Sequence, residues 1–170
     1  NGLDFLVGKV ILIDKELSWT SFDVVNKIRF KLKHYHAVKK IKVGHNGTLD
    51  PLASGLVMIF TGKYTKLIAR EENHDKSYIA TVKLGATTDS LDRETEEKNH
   101  APFDHVNLEI LQKRLAEFIG EQEQIIPVYS ASKHKGRRMY SIAREGNMDI
   151  HKTKTVIYHQ IILLDFDPPF

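Results

Sequence analysis

The most constraining feature of this sequence is a twelve-residue stretch that combines three glycines, a histidine and one carboxylate. Residues 44–55 read Gly-His-Asn-Gly-Thr-Leu-Asp-Pro-Leu-Ala-Ser-Gly. Glycines this close together are costly inside a helix or strand, and they allow positive φ or the close approach of a ligand. Asp50 stands directly before Pro51, which restricts the backbone of both residues. We therefore expect a rigid loop that holds the Asp50 carboxylate in a fixed position.

The segment after this loop has the character of a buried strand. Residues 56–60, Leu-Val-Met-Ile-Phe, are an apolar run of strand length, so they can anchor the loop against a core. Catalytic groups are often found on loops that a rigid scaffold positions. An aspartate before a proline is also typical of an ordinary turn with a side-chain hydrogen bond. The spacing alone leaves both interpretations open.

Composition limits the class of protein and the choice of nucleophile. The 170 residues are 41% hydrophobic and 28% charged, which suits one soluble domain with a sizeable core. Cysteine is absent, and this excludes disulfides, thiolate nucleophiles and cysteine-based metal sites. The sequence shows neither an apolar stretch of membrane-spanning length nor a signal peptide. We expect a cytoplasmic protein with no membrane partner.

Basic residues are segregated into two blocks. The first leads into the loop, with no acidic residue between Asp23 and Asp50, and comprises Lys27, Arg29, Lys31, Lys33, Lys39, Lys40 and Lys42. The second comprises Lys133, Lys135, Arg137, Arg138 and Arg144. Either block alone can be a solvated face. Two blocks on either side of a candidate site favour a polyanion, because lysine and arginine contacts to phosphates provide affinity and register.

Hydrophobic periodicity predicts several helices and strands. We expect a strand at residues 10–13, and strands at 77–84 and 155–166. A helix should begin at Thr20 or Ser21, with an acidic first turn. Residues at helical spacing on one face include Phe22, Val25, Ile28 or Arg29, and Leu32. A second helix should run over residues 108–119, between a cap at Asn107 and a stop at Gly120. Residues 86–106 should form loops.

Three other kinds of site can be weighed and set aside. His34, His36 and His45 have no further histidine or carboxylate at ligand spacing, so we expect no metal site. Residues 61–64, Thr-Gly-Lys-Tyr, do not complete a nucleotide phosphate loop, because that pattern needs a glycine where Val57 stands and a serine or threonine where Tyr64 stands. A serine hydrolase is the weakest option, because the sequence contains no Gly-x-Ser-x-Gly pattern.

Residues 44–55 closely resemble the active-site motif of the TruB family of tRNA pseudouridine synthases, in particular its stand-alone bacterial type. The resemblance covers the chain from about Gly8 to its end. It implies an α+β class, the pseudouridine synthase fold, with a mixed, mostly antiparallel sheet flanked by helices. It further implies one catalytic domain over residues 1–170, incomplete at the C-terminus. Residues 126–146 resemble the family's thumb, an RNA-binding insertion.

The resemblance also implies roles for individual residues. Asp50 would be the catalytic nucleophile, His45 would take the space that the target base vacates, and Tyr78 would stack on the extruded base. Lys15 matches the lysine of the family's Lys-Pro-x-Gly pattern, which reads Lys-Glu-Leu-Ser here. The thumb would bind RNA through Lys133, Lys135, Arg137, Arg138, Tyr140 and Arg144. The chemistry requires neither a cofactor nor a metal.

The function that the resemblance implies is isomerisation of a uridine in the T-arm loop of tRNA to pseudouridine, after the base has been flipped out. The partner would be the tRNA T stem-loop, and we expect a monomer with no obligate protein partner. The family's arginine and leucine motifs downstream of the thumb are not found before Phe170. Two alternatives therefore stay open: an RNA-binding or tRNA-folding module without turnover, and a guide-RNA-dependent pseudouridine synthase subunit.

Overall fold

The motif connects two neighbouring strands of an antiparallel sheet. The computed structural model describes residues 4–71, 74–128, 130, 132–134, 136–145 and 152–169. In the first of two compact units, Asn1–Tyr78, a sheet has the order β1-β3-β2, formed by β1 (Val10–Lys15), β2 (Val43–His45) and β3 (Gly55–Thr61). Lys15 pairs with Gly55, and His45 pairs with Ile59. The predicted strands at 10–13 and 56–60 are thus confirmed, and residues 46–54 form the loop between β2 and β3.

Helix α1 (Ser21–Tyr35) supplies the core that supports this sheet. The Thr20 side chain accepts a hydrogen bond from the Asp23 N–H, and the Asp23 carboxylate accepts one from the Thr20 N–H, which completes a capping box. The predicted start of the helix is therefore confirmed. The core joins helix and sheet residues, namely Val24, Val25, Leu32, Val43, Val57 and Ile59.

One predicted member of the helix's apolar face is wrong. Phe22 is 57% exposed. The buried arc of α1 instead contains Ser21, Val24, Val25 and Leu32. Phe22 lies beside this arc, where the Arg29 guanidinium sits 5.8 Å from the centre of its ring.

The chain leaves β3 through a 3₁₀ helix, Gly62–Leu67, and a short helix α2 (Ile68–Glu71). Gly62 has φ +54°, and an added Cβ there would lie 2.2 Å from the Leu6 carbonyl oxygen. Only glycine fits at this turn, because the close neighbour is backbone. None of the helices in the described residues has the length and apolar character needed to cross a membrane.

The second unit, Ile79–Phe170, contains paired short strands and two helices. Its strands pair antiparallel, β4 (Thr87–Thr88) with β5 (Glu97–Lys98), β6 (Gly120–Ile125) with β9 (Thr153–Tyr158), and β7 (Lys133–His134) with β8 (Arg137–Arg138). The helices are α3 (Leu108–Glu117) and α4 (Met139–Arg144). Its buried apolar side chains include Ile126, Met139 and Ile142.

Three predictions for this later part of the chain need correction. Residues 77–83 form no strand, and Tyr78 and Ile79 are 71% and 87% exposed. The predicted strand at 155–166 ends at Tyr158, because its partner β6 begins at Gly120, the residue paired with Tyr158. Helix α3 keeps its predicted Asn107 cap but ends at Glu117, and Gly120, with φ +98°, opens β6 instead of stopping the helix.

Candidate active site

Asp50 stands at the first position of a tight turn. The Ala53 N–H donates a hydrogen bond to the Asp50 carbonyl over 3.0 Å, with Pro51 at the second position, which proline favours. The Asp50 side chain is exposed. The turn interpretation of this residue is therefore correct for the backbone, while the carboxylate stays accessible to a substrate. The two interpretations that the sequence left open are compatible.

The residues on both sides of Asp50 are held by Ser18 and by Ser21, the first residue of α1. Before Asp50, the Leu49 N–H donates to the Ser21 hydroxyl over 2.9 Å, and that hydroxyl lies 3.2 Å from the Leu49 carbonyl, to which it donates. After Asp50, the Ser18 N–H donates to the Pro51 carbonyl over 2.8 Å. The Leu49 side chain packs against the core. We call these contacts of Ser18 and Ser21 the loop clamp.

Ser21 and Ser18 are residues whose part in the site the sequence did not predict. Ser21 is only 1% exposed, and its partner Leu49 is 28 residues away along the chain. Ser18 adopts φ +68°, an uncommon conformation for a residue with a side chain. The sequence marked Ser21 only as a possible helix cap. A contact over this distance leaves no periodic signal that would have shown it.

Lys15 supports the loop clamp by holding the backbone of the residues around Ser18. Its side chain is 1% exposed, and its ammonium donates to the carbonyls of Glu16 and Trp19 over 3.0 and 2.7 Å. Burial lowers the pKa of Lys15 from 10.5, while the nearby Asp50 carboxylate raises it, and burial has the larger effect. Lys15 thus fixes residues 16–19 and places a cationic group within electrostatic reach of Asp50. Its predicted contact with substrate stays a prediction.

His45 ends β2 and opens the loop. Its Nδ1 lies 2.6 Å from the Gly47 carbonyl, an acceptor, so Nδ1 carries the proton in this contact. The next residue, Asn46, donates from its amide to the Glu71 carbonyl over 3.2 Å, which ties the loop to the end of α2. His45 thus stands where the loop begins, opposite Ile59 of β3, whereas Lys15 stands opposite Gly55, where the loop ends.

The remaining predicted site residues lie elsewhere in the chain. Tyr78 lies in irregular structure at the end of the first unit. Within residues 126–146, Arg137 is exposed and pairs with Glu145. Lys133 lies in β7, Arg138 in β8, and Tyr140 and Arg144 in α4, whereas Lys135 is outside the described residues. In the part of the chain that the structure describes, no group of three or more His, Asp or Glu residues could hold a metal ion.

Comparison with known proteins identifies the family. A family model described as TruB family pseudouridylate synthase (N terminal domain) matches residues 33–170. This chain belongs to the TruB family. The match includes the whole of the loop at 44–55 and begins within α1. The pseudouridine synthase fold and the α+β class expected from the sequence are confirmed by this membership.

Relatives extend the similarity towards the N-terminus. A protein named tRNA pseudouridine synthase B from Phocaeicola vulgatus is 50% identical over 98% of this chain and 71% of its own length. One of the same name from Parabacteroides distasonis is 46% identical over the same shares of the two chains. A third from Chlorobium luteolum is 45% identical over 95% of this chain and 56% of its own. At 98% coverage, the first two alignments reach beyond the residues that the family model matches.

Proposed function

We propose that this chain is a tRNA pseudouridine synthase that converts a uridine of the T-arm loop to pseudouridine with Asp50 as the nucleophile. The observation that carries the proposal is an exposed Asp50 carboxylate in a loop whose backbone is held on both sides, with the Lys15 ammonium nearby. Membership of the TruB family and the names of the relatives support the reaction. Those names also favour a stand-alone tRNA enzyme over a guide-RNA-dependent subunit.

The reaction exchanges one bond for another within a single nucleotide. The bond from N1 of uracil to C1′ of the ribose breaks, and a bond from C5 to C1′ forms. The proton on C5 is lost, and N1 gains one, so the mass is unchanged. Asp50 would form a transient bond, either at the sugar carbon or at the base ring, which divides one difficult step into two easier ones. The free uracil must stay close to the sugar while it rotates.

A nucleophile of this kind has to meet its target in a fixed position. A displacement of about 1 Å can cost roughly a hundredfold in rate. The loop clamp, the Leu49 side chain in the core and the turn at Pro51 restrict the Asp50 backbone. The Lys15 ammonium attracts the Asp50 carboxylate, and we propose that this attraction helps to hold the nucleophile in place.

The target base must leave its stack before it can react, at a cost of a few kcal/mol. We propose that His45, whose position at the loop entrance is fixed by its contact with Gly47, occupies the space that the base leaves. Tyr78 would stack on the extruded base, and residues 126–146 would bind the T-arm. A cytoplasmic location follows from a tRNA substrate, and action as a monomer remains part of the proposal.

The proposal is tested with two RNA hairpins that have the sequences of a tRNA T-arm and of an anticodon arm. After incubation with the chain, each RNA is digested to nucleosides, and pseudouridine is measured by chromatography. We expect product from the T-arm hairpin only, and none from Asp50→Asn. Asp104→Asn removes another exposed aspartate and should leave the yield unchanged. RNA binding without product in the parent would instead support the non-catalytic module.

A further inference from the structure

The outward face of α1 carries an exposed stripe of basic and aromatic residues that the proposed chemistry does not use. Lys27, Phe30, Lys31 and His34 follow the spacing i, i+3, i+4 and i+7, which places them on one side of a helix. All four are exposed, and Phe30 is 73% exposed. A different side of the helix packs into the core.

We propose that this stripe is a second contact surface for the RNA substrate, where lysines bind backbone phosphates and Phe30 stacks on an unpaired base away from the reacting nucleotide. This inference rests on the proposed function, since it takes the bound RNA to be the substrate. Cationic side chains interleaved with an aromatic platform are the usual composition of surfaces that bind single-stranded nucleic acid.

The charges of the stripe favour RNA over a protein partner. No acidic residue occurs between positions 24 and 49, and none of the ion pairs that join described residues includes Lys27 or Lys31. Like charges four residues apart destabilise a helix, so the stability of α1 does not explain why Lys27 and Lys31 stand at this spacing. Arg29, by contrast, is engaged, because it donates to Asn26 and to the Val43 carbonyl. The unneutralised lysines suit a polyanion.

The stripe is continuous with the candidate active site. An open groove of about 370 Å³, lined by Ser18, Trp19, Asp23 and Lys27, lies where α1 begins. Ser18 belongs to the loop clamp, while Asp23 is bound within the capping box. From Lys27 to His34 the stripe runs roughly 10 Å along the helix axis, and it leads away from the groove at the start of α1. An RNA strand that reaches Asp50 can therefore continue along α1.

The test compares two double variants of the full chain in tRNA-binding titrations at 50 and 200 mM salt. Lys27→Gln/Lys31→Gln removes two charges from the stripe, and Lys113→Gln/Lys154→Gln removes two exposed lysines from α3 and β9. Each lost phosphate contact should lower the slope of log affinity against log salt by nearly one. Over this salt range that amounts to about threefold per lysine, so the parent should lose roughly tenfold more affinity than the stripe variant.

A second pair of variants examines the aromatic platform. Phe30→Ala should weaken binding of unpaired RNA about fivefold or more. Phe30→Trp should bind as tightly as the parent, because every base can stack on a phenylalanine or a tryptophan ring. A merely structural role for Phe30 would not distinguish unpaired from fully paired RNA.

The inference and the proposed function can fail separately. If the parent makes pseudouridine and Lys27→Gln/Lys31→Gln keeps the parent's affinity and salt slope, the surface is refuted and the function stands. If the parent makes none but the stripe variant binds tRNA more weakly than the Lys113→Gln/Lys154→Gln control, the surface stands and the function fails. Equal weakening by the stripe and control variants would show a general charge effect and would overturn the surface.

Discussion

Replacing Ser21 by alanine tests the loop clamp. The Ser21 hydroxyl satisfies both the N–H and the carbonyl of Leu49, at 2.9 and 3.2 Å, from a position that is 1% exposed. A buried polar group left without a partner costs about 1–3 kcal/mol. Leu49 is only partly buried, so water can replace some of what is lost. We expect Ser21→Ala to lower the free energy of unfolding by about 2 kcal/mol, less than the sum for two fully buried groups.

The effect on the reaction should be larger than the effect on stability. Asp50 follows directly after Leu49, whose N–H and carbonyl lose their hydrogen bonds to residue 21 in this variant. A shift of Asp50 by about 1 Å would slow the reaction roughly a hundredfold. Urea unfolding measures the first effect, and single-turnover pseudouridine formation with excess enzyme measures the second, at a temperature where circular dichroism shows the variant to be folded. Ser54→Ala, an exposed serine of the same loop, is the control and should change stability by less than about 0.5 kcal/mol. A Ser21→Ala chain that reacts within twofold of the parent would refute the clamp.

Three further predictions concern stability. Burial lowers the pKa of Lys15 from 10.5, so the unfolded chain binds more protons than the folded chain just below that pH. The parent's free energy of unfolding should therefore rise with pH in this range. In urea titrations, Lys15→Met should not show this rise. Thr20→Ala should cost about 1 kcal/mol in urea at neutral pH. Because Thr20 holds the pKa of Asp23 below 3.8, that difference should shrink as the pH falls below this value. Gly62→Ala, at φ +54° and against a backbone oxygen, should cost about 3 kcal/mol by thermal or urea unfolding, whereas Gly47→Ala, with open space around it, should not.

The parts of the fold that the sequence predicted well are those with local signals. The start of α1 has a local signal, because a capping residue at Thr20 or Ser21 and the acidic Asp23 of the first turn lie within four residues. The strand after the loop was visible as a short apolar run, and it became β3. In each case the information lies within a few neighbouring residues.

Long-range pairing explains what was wrong. Strand β6 reads Gly-Glu-Gln-Glu-Gln-Ile, a sequence with little preference for a strand, and it forms because β9 pairs with it. Residues 77–84 alternate in the manner of a strand, but alternation does not provide a partner, and residues 77–83 are irregular and exposed. A strand needs a second strand to satisfy its N–H and carbonyl groups.

The residues of the candidate site also divide into those with a local signal in the sequence and those that only long-range contacts reveal. The contiguous motif identified Asp50 and His45, and the structure places His45 at the end of β2 and Asp50 in the loop that follows it. Lys15 was named because it matched a family pattern, and its burial and its electrostatic contact with Asp50 came only from the fold. The clamp by Ser18 and Ser21 depends on contacts between distant parts of the chain, which spacing in the sequence does not encode.

The central claim is that Asp50 carries out the isomerisation, and release of tritium from tRNA labelled at C5 of uridine tests it most directly. The hydrogen on C5 leaves only when the new bond from C5 to the ribose forms. We predict that the parent releases tritium in proportion to the pseudouridine formed, and that Asp50→Asn, which keeps the size and shape of the side chain, releases none above background. Release by Asp50→Asn at the parent's rate would contradict the account.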